Sequence, residues 1–231
     1  MDRYLHPPAH GAFLLTYLMM FFFMTLFFGH SMAIAFAKMG LSPYLGLPIY
    51  ALSLAGSMIN IPIKRVVSRR PIVRTRVVSF MGIRYVIPYV EEVSETVIAV
   101  NVGGAVIPVL LSSYLLYRVV AHGQLVLLGQ IFLALAVVPA ISKLLARPVP
   151  GLGIAMPAFV PPITAALTAA LLNFRYAPII AYVSGTLGVL IGADLMNLHR
   201  IPELGAPMAS IGGAGTFDGI FLSGLFAALL V

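Results

Sequence analysis

Seven stretches of apolar sequence, at about 12–37, 44–63, 97–120, 124–146, 156–173, 177–197 and 206–231, follow one another with few polar interruptions. The hydrocarbon core of a bilayer is roughly 30 Å thick, and a helix needs about 20 apolar residues to cross it. Such runs in succession point to lipid as the solvent and to helices as the spans, because lipid cannot satisfy an open backbone N–H or C=O. Composition agrees: 61% of the 231 residues are hydrophobic and 9% are charged, too little polar surface to cover a soluble globule of this size. The expected fold class is an all-α polytopic membrane protein with six or seven transmembrane helices, forming a single membrane domain over 1–231. The count turns on the fifth run, whose Pro157, Pro161 and Pro162 suit a kinked or re-entrant segment. The first run is too long for a cleavable signal core and lacks a processing site.

The charges orient the bundle. A net charge of +7 would suggest nucleic acid in a soluble chain, but here the cations sit between apolar runs, so no nucleic-acid partner is expected. With a cytoplasmic N-terminus, Arg3, Lys64, Arg65, Arg69, Arg70, Arg74, Arg76, Arg84, Lys143, Arg147 and Arg200 fall inside, and Lys38, Arg118 and Arg175 outside. That split of eleven to three predicts a multi-pass protein of the cell membrane with its large basic loop, 64–95, on the cytoplasmic side. Within this loop Ile72–Ser79 and Ile83–Val90 flank Met81-Gly82 with β-branched residues, predicting a small β-ribbon at the membrane surface. Its arginines either hold anionic lipid headgroups or only fix topology.

Two glycine-rich segments precede helices. Thr96 to Pro108 reads as an extended stretch that breaks at Gly103-Gly104 and starts a helix near Pro108. A similar pattern recurs from Met208 through Gly212, Gly213, Gly215 and Thr216 to Asp218. Bare backbone ahead of a helix N-terminus suits a polar or anionic ligand at membrane depth; close packing by small residues explains the same glycines. Asn101, beside Gly103-Gly104, is a candidate to orient a carboxyl group or a substrate.

The chain has seven acidic residues, of which five belong to termini or loops, while Asp194 and Asp218 are embedded in apolar sequence. A carboxylate at such a position costs at least about 2.5–3.5 kcal/mol on insertion scales, which makes an intramembrane acid a functional candidate by default. Geometry decides whether the two meet. In one straight helix over 205–231, Asp218 would lie about 20 Å deep, far from Asp194. If the glycines instead form an extended lead-in, Asp218 stands near the start of a short helix and can face Asp194. Two carboxyls at close range in a low-dielectric site cannot both ionise and so share a proton. That arrangement serves an aspartyl hydrolase, and equally a proton or sodium relay.

Over Asn101–Pro108, Ile191–Leu195 and Ser210–Gly219, and more loosely over the whole chain, the sequence resembles a prokaryotic membrane family known as domain of unknown function 1614. The name implies no activity. A looser resemblance is to the Gly-x-Gly-Asp intramembrane aspartyl proteases, the presenilin and signal peptide peptidase group. That resemblance implies one catalytic Asp on each of the last two spans, mapping to Asp194 and Asp218. It departs from the pattern in two places: Thr216 stands where the group has glycine, giving Gly-x-Gly-x-x-Asp, and the Pro-Ala-Leu element after the second Asp is absent.

Three function classes follow: an intramembrane aspartyl-protease-like hydrolase acting on a transmembrane-helix substrate; an ion-coupled transporter or channel for a small ion or solute, using the same acids and broken helix starts; and a lipid-binding scaffold. Asn101, Gly103, Gly104, Gly212, Gly213, Gly215 and Thr216 are the candidate substrate-binding set, with membrane lipids as partners. No cofactor is expected. There is no cysteine and no His/Glu cluster at ligand spacing, so no metal is expected. His30 in the first span is read as a residue bonded to a neighbouring helix.

Overall fold

The computed structural model describes residues 9–68, 72–80, 83–91, 95–150, 153–213 and 219–231, with side chains outside 9–13 and 72–91. The chain is mostly helical, with α1 (Ala9–Lys38), α2 (Gly46–Gly56), α3 (Ile107–Ala121), α4 (Leu125–Leu145), α5 (Val160–Leu172), α6 (Ala177–Val189) and α7 (Gly219–Leu230). Among the described residues, four helical stretches are long and apolar enough to cross a membrane: Leu14–Lys38, Val102–Ala121, Leu125–Leu145 and Phe174–Glu203. Two shorter apolar helices, Val160–Leu172 and Gly219–Leu230, complete the bundle.

The innermost helix is α6, where Ile180, Ala181, Tyr182, Val183, Ser184 and Thr186 are all essentially buried. A helix covered on every face must be apolar or small all round, and α6 is. Around it pack α3, α4, α5 and α7. By contrast α1 buries residues only toward its C-terminal end, among them Phe28, Met32, Ala35 and Phe36 at helical spacing, and turns Leu14, Leu18, Phe22 and Phe27 outward. At about 25 cal/mol per Å² an outward row of that kind would be costly in water and is neutral in hydrocarbon.

Strands stand at one end of the bundle. β1 (Asn60–Val67) pairs antiparallel with β4 (Glu95–Asn101), and β4 pairs parallel with β7 (Met208–Ile211), giving the order β1-β4-β7. The register sets Asn60 opposite Asn101 and Ala99 opposite Ser210. A separate ribbon joins β2 (Ile72–Phe80) to β3 (Ile83–Glu91), as predicted, although Met81-Gly82 lie outside the described residues. A short hairpin, β5 (Arg147–Val149) and β6 (Gly153–Ala155), follows α4.

Several apolar runs are thus not uniform helices. The run 44–63 divides into an 11-residue α2 and the start of β1. In the fifth run Pro161 and Pro162 stand in the first turn of α5, where a missing N–H costs nothing, so they start the helix rather than kink it. The last run is no straight helix: β7 ends at Ile211, and α7 begins at Gly219.

The helices alternate in direction. α2 leads into β1, α4 into β5, and α6 into the turns beyond Val189, so these three end beside the strands. α1, α3, α5 and α7 end at the opposite face, where Lys38 Nζ donates to the Leu229 carbonyl at 2.8 Å and to an oxygen of Val231 at 2.6 Å.

Candidate functional site

The polar residues of interest gather where strands meet helices. At the end of α6 the helix widens into a π-helical turn, Leu190–Asp194, and then tightens into 3₁₀ turns over Leu195–Glu203. Such a change of pitch breaks the regular backbone ladder. Asn197, itself buried, repairs the break: its Nδ2 donates to the carbonyls of Gly192 and Ala193 at 3.1 and 3.0 Å. On the other side α4 approaches closely, with Pro139 set against Gly192. Asp194, half-buried, is the last residue of the π turn.

Asp194 lines a cavity of about 220 Å³ together with Asn60, Leu198, Ile201, Ser210 and Gly213. One wall is the run Met208–Ile211, that is, the whole of β7. Above it Asn60 Oδ1 accepts from Ser210 Oγ at 2.5 Å and from Asn101 Nδ2 at 3.1 Å, tying all three strands by their side chains. The strand is held on its inner side by Thr96, whose Oγ1 donates to the Ala206 carbonyl at 2.8 Å, and by Val97 N–H, which donates to Pro207 at 3.1 Å.

The two glycine-rich segments lie side by side, since the strands leading into them are paired. After β4, Asn101 acts as a cap: its Oδ1 accepts from Gly104 N–H at 2.8 Å and its Nδ2 also donates to the Ser57 carbonyl at 2.7 Å. Asn101 is 1% exposed. Gly103 lies against α2, where a side chain would meet the Ser53 carbonyl and the Ser57 nitrogen, and Ser53 Oγ donates to the Gly103 carbonyl at 2.6 Å. After β7, Gly212 adopts φ +73°, the left-handed region that favours glycine, and lies against Ala105. Gly213 touches the Asn101 side chain, where a Cβ would come within 2.7 Å of Asn101 Cβ.

Of the residues expected from sequence, Asp194 and Gly213 share one cavity, while Asn101, Gly103 and Gly104 are committed to capping and packing beside it. Gly215, Thr216 and Asp218 lie outside the described residues. The next residue, Gly219, starts α7 close to the end of α6, with its Cβ position 4.0 Å from Val189 Cγ1. Sequence reasoning did not place Asn60, Ser210 or Asn197 among the site residues. The signal for Asn197 was its place three residues after Asp194, and for Ser210 its place in the second glycine segment. His30 lies on the exposed side of α1. Among the described residues no three His, Asp or Glu side chains group to hold a metal.

A half-buried carboxylate, a hydroxyl and a carboxamide thus meet an edge strand in one cavity. The carboxylate can move a proton, the strand can bond an extended backbone, and the apolar wall of Leu198, Ile201 and Leu204 can take a side chain.

No curated protein and no solved structure matches the chain. One family model does, over residues 54–230, which include every strand and all helices from α3 to α7. The chain belongs to the family described as Protein of unknown function (DUF1614).

Proposed function

We propose that the chain is an intramembrane aspartyl hydrolase that cuts peptide bonds of membrane-embedded substrates, with Asp194 and Asp218 as a pair sharing one proton. One observation carries the reading: Asp194 opens into the same cavity as β7, an edge strand, and the chain leaving that strand is the one that bears Asp218. A peptide bond inside a helix has its carbonyl and N–H engaged, so a helical substrate must unwind before water can attack. The outer edge of β7 offers the unwound backbone replacement hydrogen bonds beside the carboxyl group. One carboxylate then takes a proton from water as its oxygen bonds to the carbonyl carbon, and the other acid protonates the departing nitrogen as the C–N bond breaks. The lead-in from β7 through Gly212 to α7 supports the pairing, because it starts α7 beside the end of α6 rather than far along a straight helix.

Lys64, Arg65, Lys143, Arg147 and Arg200 belong to elements at or next to the strand end. On the positive-inside rule this end is cytoplasmic, giving a cell-membrane protein with a cytoplasmic N-terminus, six or seven membrane-crossing segments and cleavage near the inner face. Purified chain in detergent, given a single-span helical peptide, should release fragments detectable by mass spectrometry. Asp194→Asn and Asp218→Asn should each lower the rate by about 100-fold or more, and undiminished cleavage in either variant overturns the reading.

A second reading, an ion-coupled transporter or channel using the same acids, is favoured by the buried hydroxyls of Ser142 on α4 and Ser223 on α7, which have no hydrogen-bond partner among the described residues and belong to residues set against Gly192 of the π turn and Gly185 of α6 respectively. Proton- or sodium-dependent flux in liposomes, lost in Asp194→Asn and unaccompanied by cleavage, would favour it.

A further inference from the structure

The geometry points to a binding site for one anionic phospholipid at the end of the bundle opposite Asp194, with the phosphate in a cationic cavity and an acyl chain in the adjoining apolar groove. The inference rests on the membrane setting of the bundle and is independent of the hydrolase reading.

Among the described residues, three cations converge here. Lys38, Arg118 and Arg175, with His122, Gln124 and Tyr176, line a cavity of about 250 Å³, and no acidic residue is among its lining. Three positive charges from α1, α3 and the turn before α6 repel one another and are stable together only with an anion or in water. Within the chain Lys38 donates to the Leu229 carbonyl and to an oxygen of Val231, while the two arginines have neutral partners: Arg118 Nη1 donates to the Gly40 carbonyl at 3.0 Å, and the Arg175 guanidinium lies 5.6 Å from the centre of the Tyr176 ring. These contacts leave the charges of Arg118 and Arg175 unneutralised.

Against this cavity lies a groove of about 670 Å³ between α1, α2 and α3, walled by Leu41, Leu45, Ile49, Leu52, Leu110 and Tyr114. Gly40 and Arg118 line both spaces. Gly40, at φ +69°, turns the chain after α1 so that its carbonyl holds Arg118 at the junction. Exposed Tyr44 and Tyr117 stand at the same end, the position amphipathic rings take at a headgroup layer. A phosphate with an attached hydrocarbon chain matches this sequence of surfaces, whereas a free phosphate leaves the groove unused.

Native mass spectrometry of the full chain tests the site, comparing retention of phosphatidylglycerol with that of phosphatidylcholine of the same acyl chains and with glycerol phosphate as competitor. Phosphatidylglycerol should be retained at least about fivefold better than phosphatidylcholine, and Arg175→Gln should lower that preference about fivefold. Arg175 is chosen because it holds no backbone carbonyl, and Arg118→Gln provides a second variant. Leu110→Asn should weaken retention of both lipids. Equal retention of the two lipids, or a preference unchanged in both arginine variants, overturns the proposal. Displacement of the lipid by equimolar glycerol phosphate would overturn the acyl-chain half and leave a simple anion site.

Discussion

The two strand–glycine–helix segments are near copies in sequence, Asn101-Val-Gly-Gly-Ala and Ser210-Ile-Gly-Gly-Ala, and they are hydrogen-bonded neighbours in the sheet. Their fates differ. After β4 the break is closed on every side: Asn101 caps it, Ser53 holds the Gly103 carbonyl, and α2 fills the space a side chain would need. After β7 the break opens onto the cavity of Asp194, with Gly213 in its wall. The difference lies in the neighbours. The first segment has α2 packed on its outer side, and the second forms the edge of the sheet. One motif therefore serves close packing in one place and a polar site in the other, and the sequence pattern alone does not distinguish them.

The sharpest way to break this comparison is enzymatic. Asp194→Asn should cost cleavage about 100-fold or more, whereas Asn101→Ala should leave the rate per folded molecule within a few-fold of the parent; an Asn101→Ala rate that falls as far as that of Asp194→Asn would make the first segment part of the site.

Stability separates the two segments next. Gly103→Ala drives a methyl into the Ser53 carbonyl and the α2 backbone and should cost about 3 kcal/mol. Gly212→Ala adds left-handed strain to contact with Ala105 and should cost about 2–4 kcal/mol. Thermal unfolding in detergent measures both. The sharper observation is activity below the transition, where Gly212→Ala should lose cleavage and Gly103→Ala should keep it.

A smaller effect is expected at Ser210, whose hydroxyl reaches only Asn60, itself exposed. Ser210→Ala should cost about 1 kcal/mol or less in stability, while Asn101→Ala, which removes a buried cap and two donors, should cost about 1–3 kcal/mol. Equal losses would mean that the two segments are buried alike. Smallest of all is Arg65→Gln at the β1–β4 edge: its 3.5 Å pair with Glu95 is largely exposed, so unfolding should move by no more than about 0.5 kcal/mol.

Much of the local structure could be read before any coordinates. β-branched alternation around Met81-Gly82 predicted the ribbon, which is present; Gly103-Gly104 followed by Pro108 predicted a break and a helix start near Pro108, whereas the strand gives way to helix already at Val102 and both glycines lie in the π-helical turn Val102–Val106. The glycines of the last segment allowed an extended lead-in, and β7 is that lead-in. Less legible was the stretch Asn60–Val67, because Ile-Pro-Ile-Lys-Arg-Val-Val prolongs an apolar run and only pairing with β4 makes it a strand. Pro161 and Pro162 suited a kinked or re-entrant segment in the sequence, whereas the helix start at Val160 puts them in a first turn.

By itself the sequence pointed to lipid as the solvent, and it determined the helical character of most of the long runs, the uneven distribution of the cations along the chain and the rarity of acids within apolar segments. Each of these depends on composition and on spacing within one segment, where lipid or the local backbone is the partner. Only the tertiary structure decided that β4 and β7 pair in parallel across four intervening helices, that Asn101 is a cap while Ser210 and Gly213 face Asp194, and that Lys38, Arg118 and Arg175 share one cavity. Those outcomes depend on which distant residue fills the space beside a group, and hydrophobic periodicity carries no information about that partner.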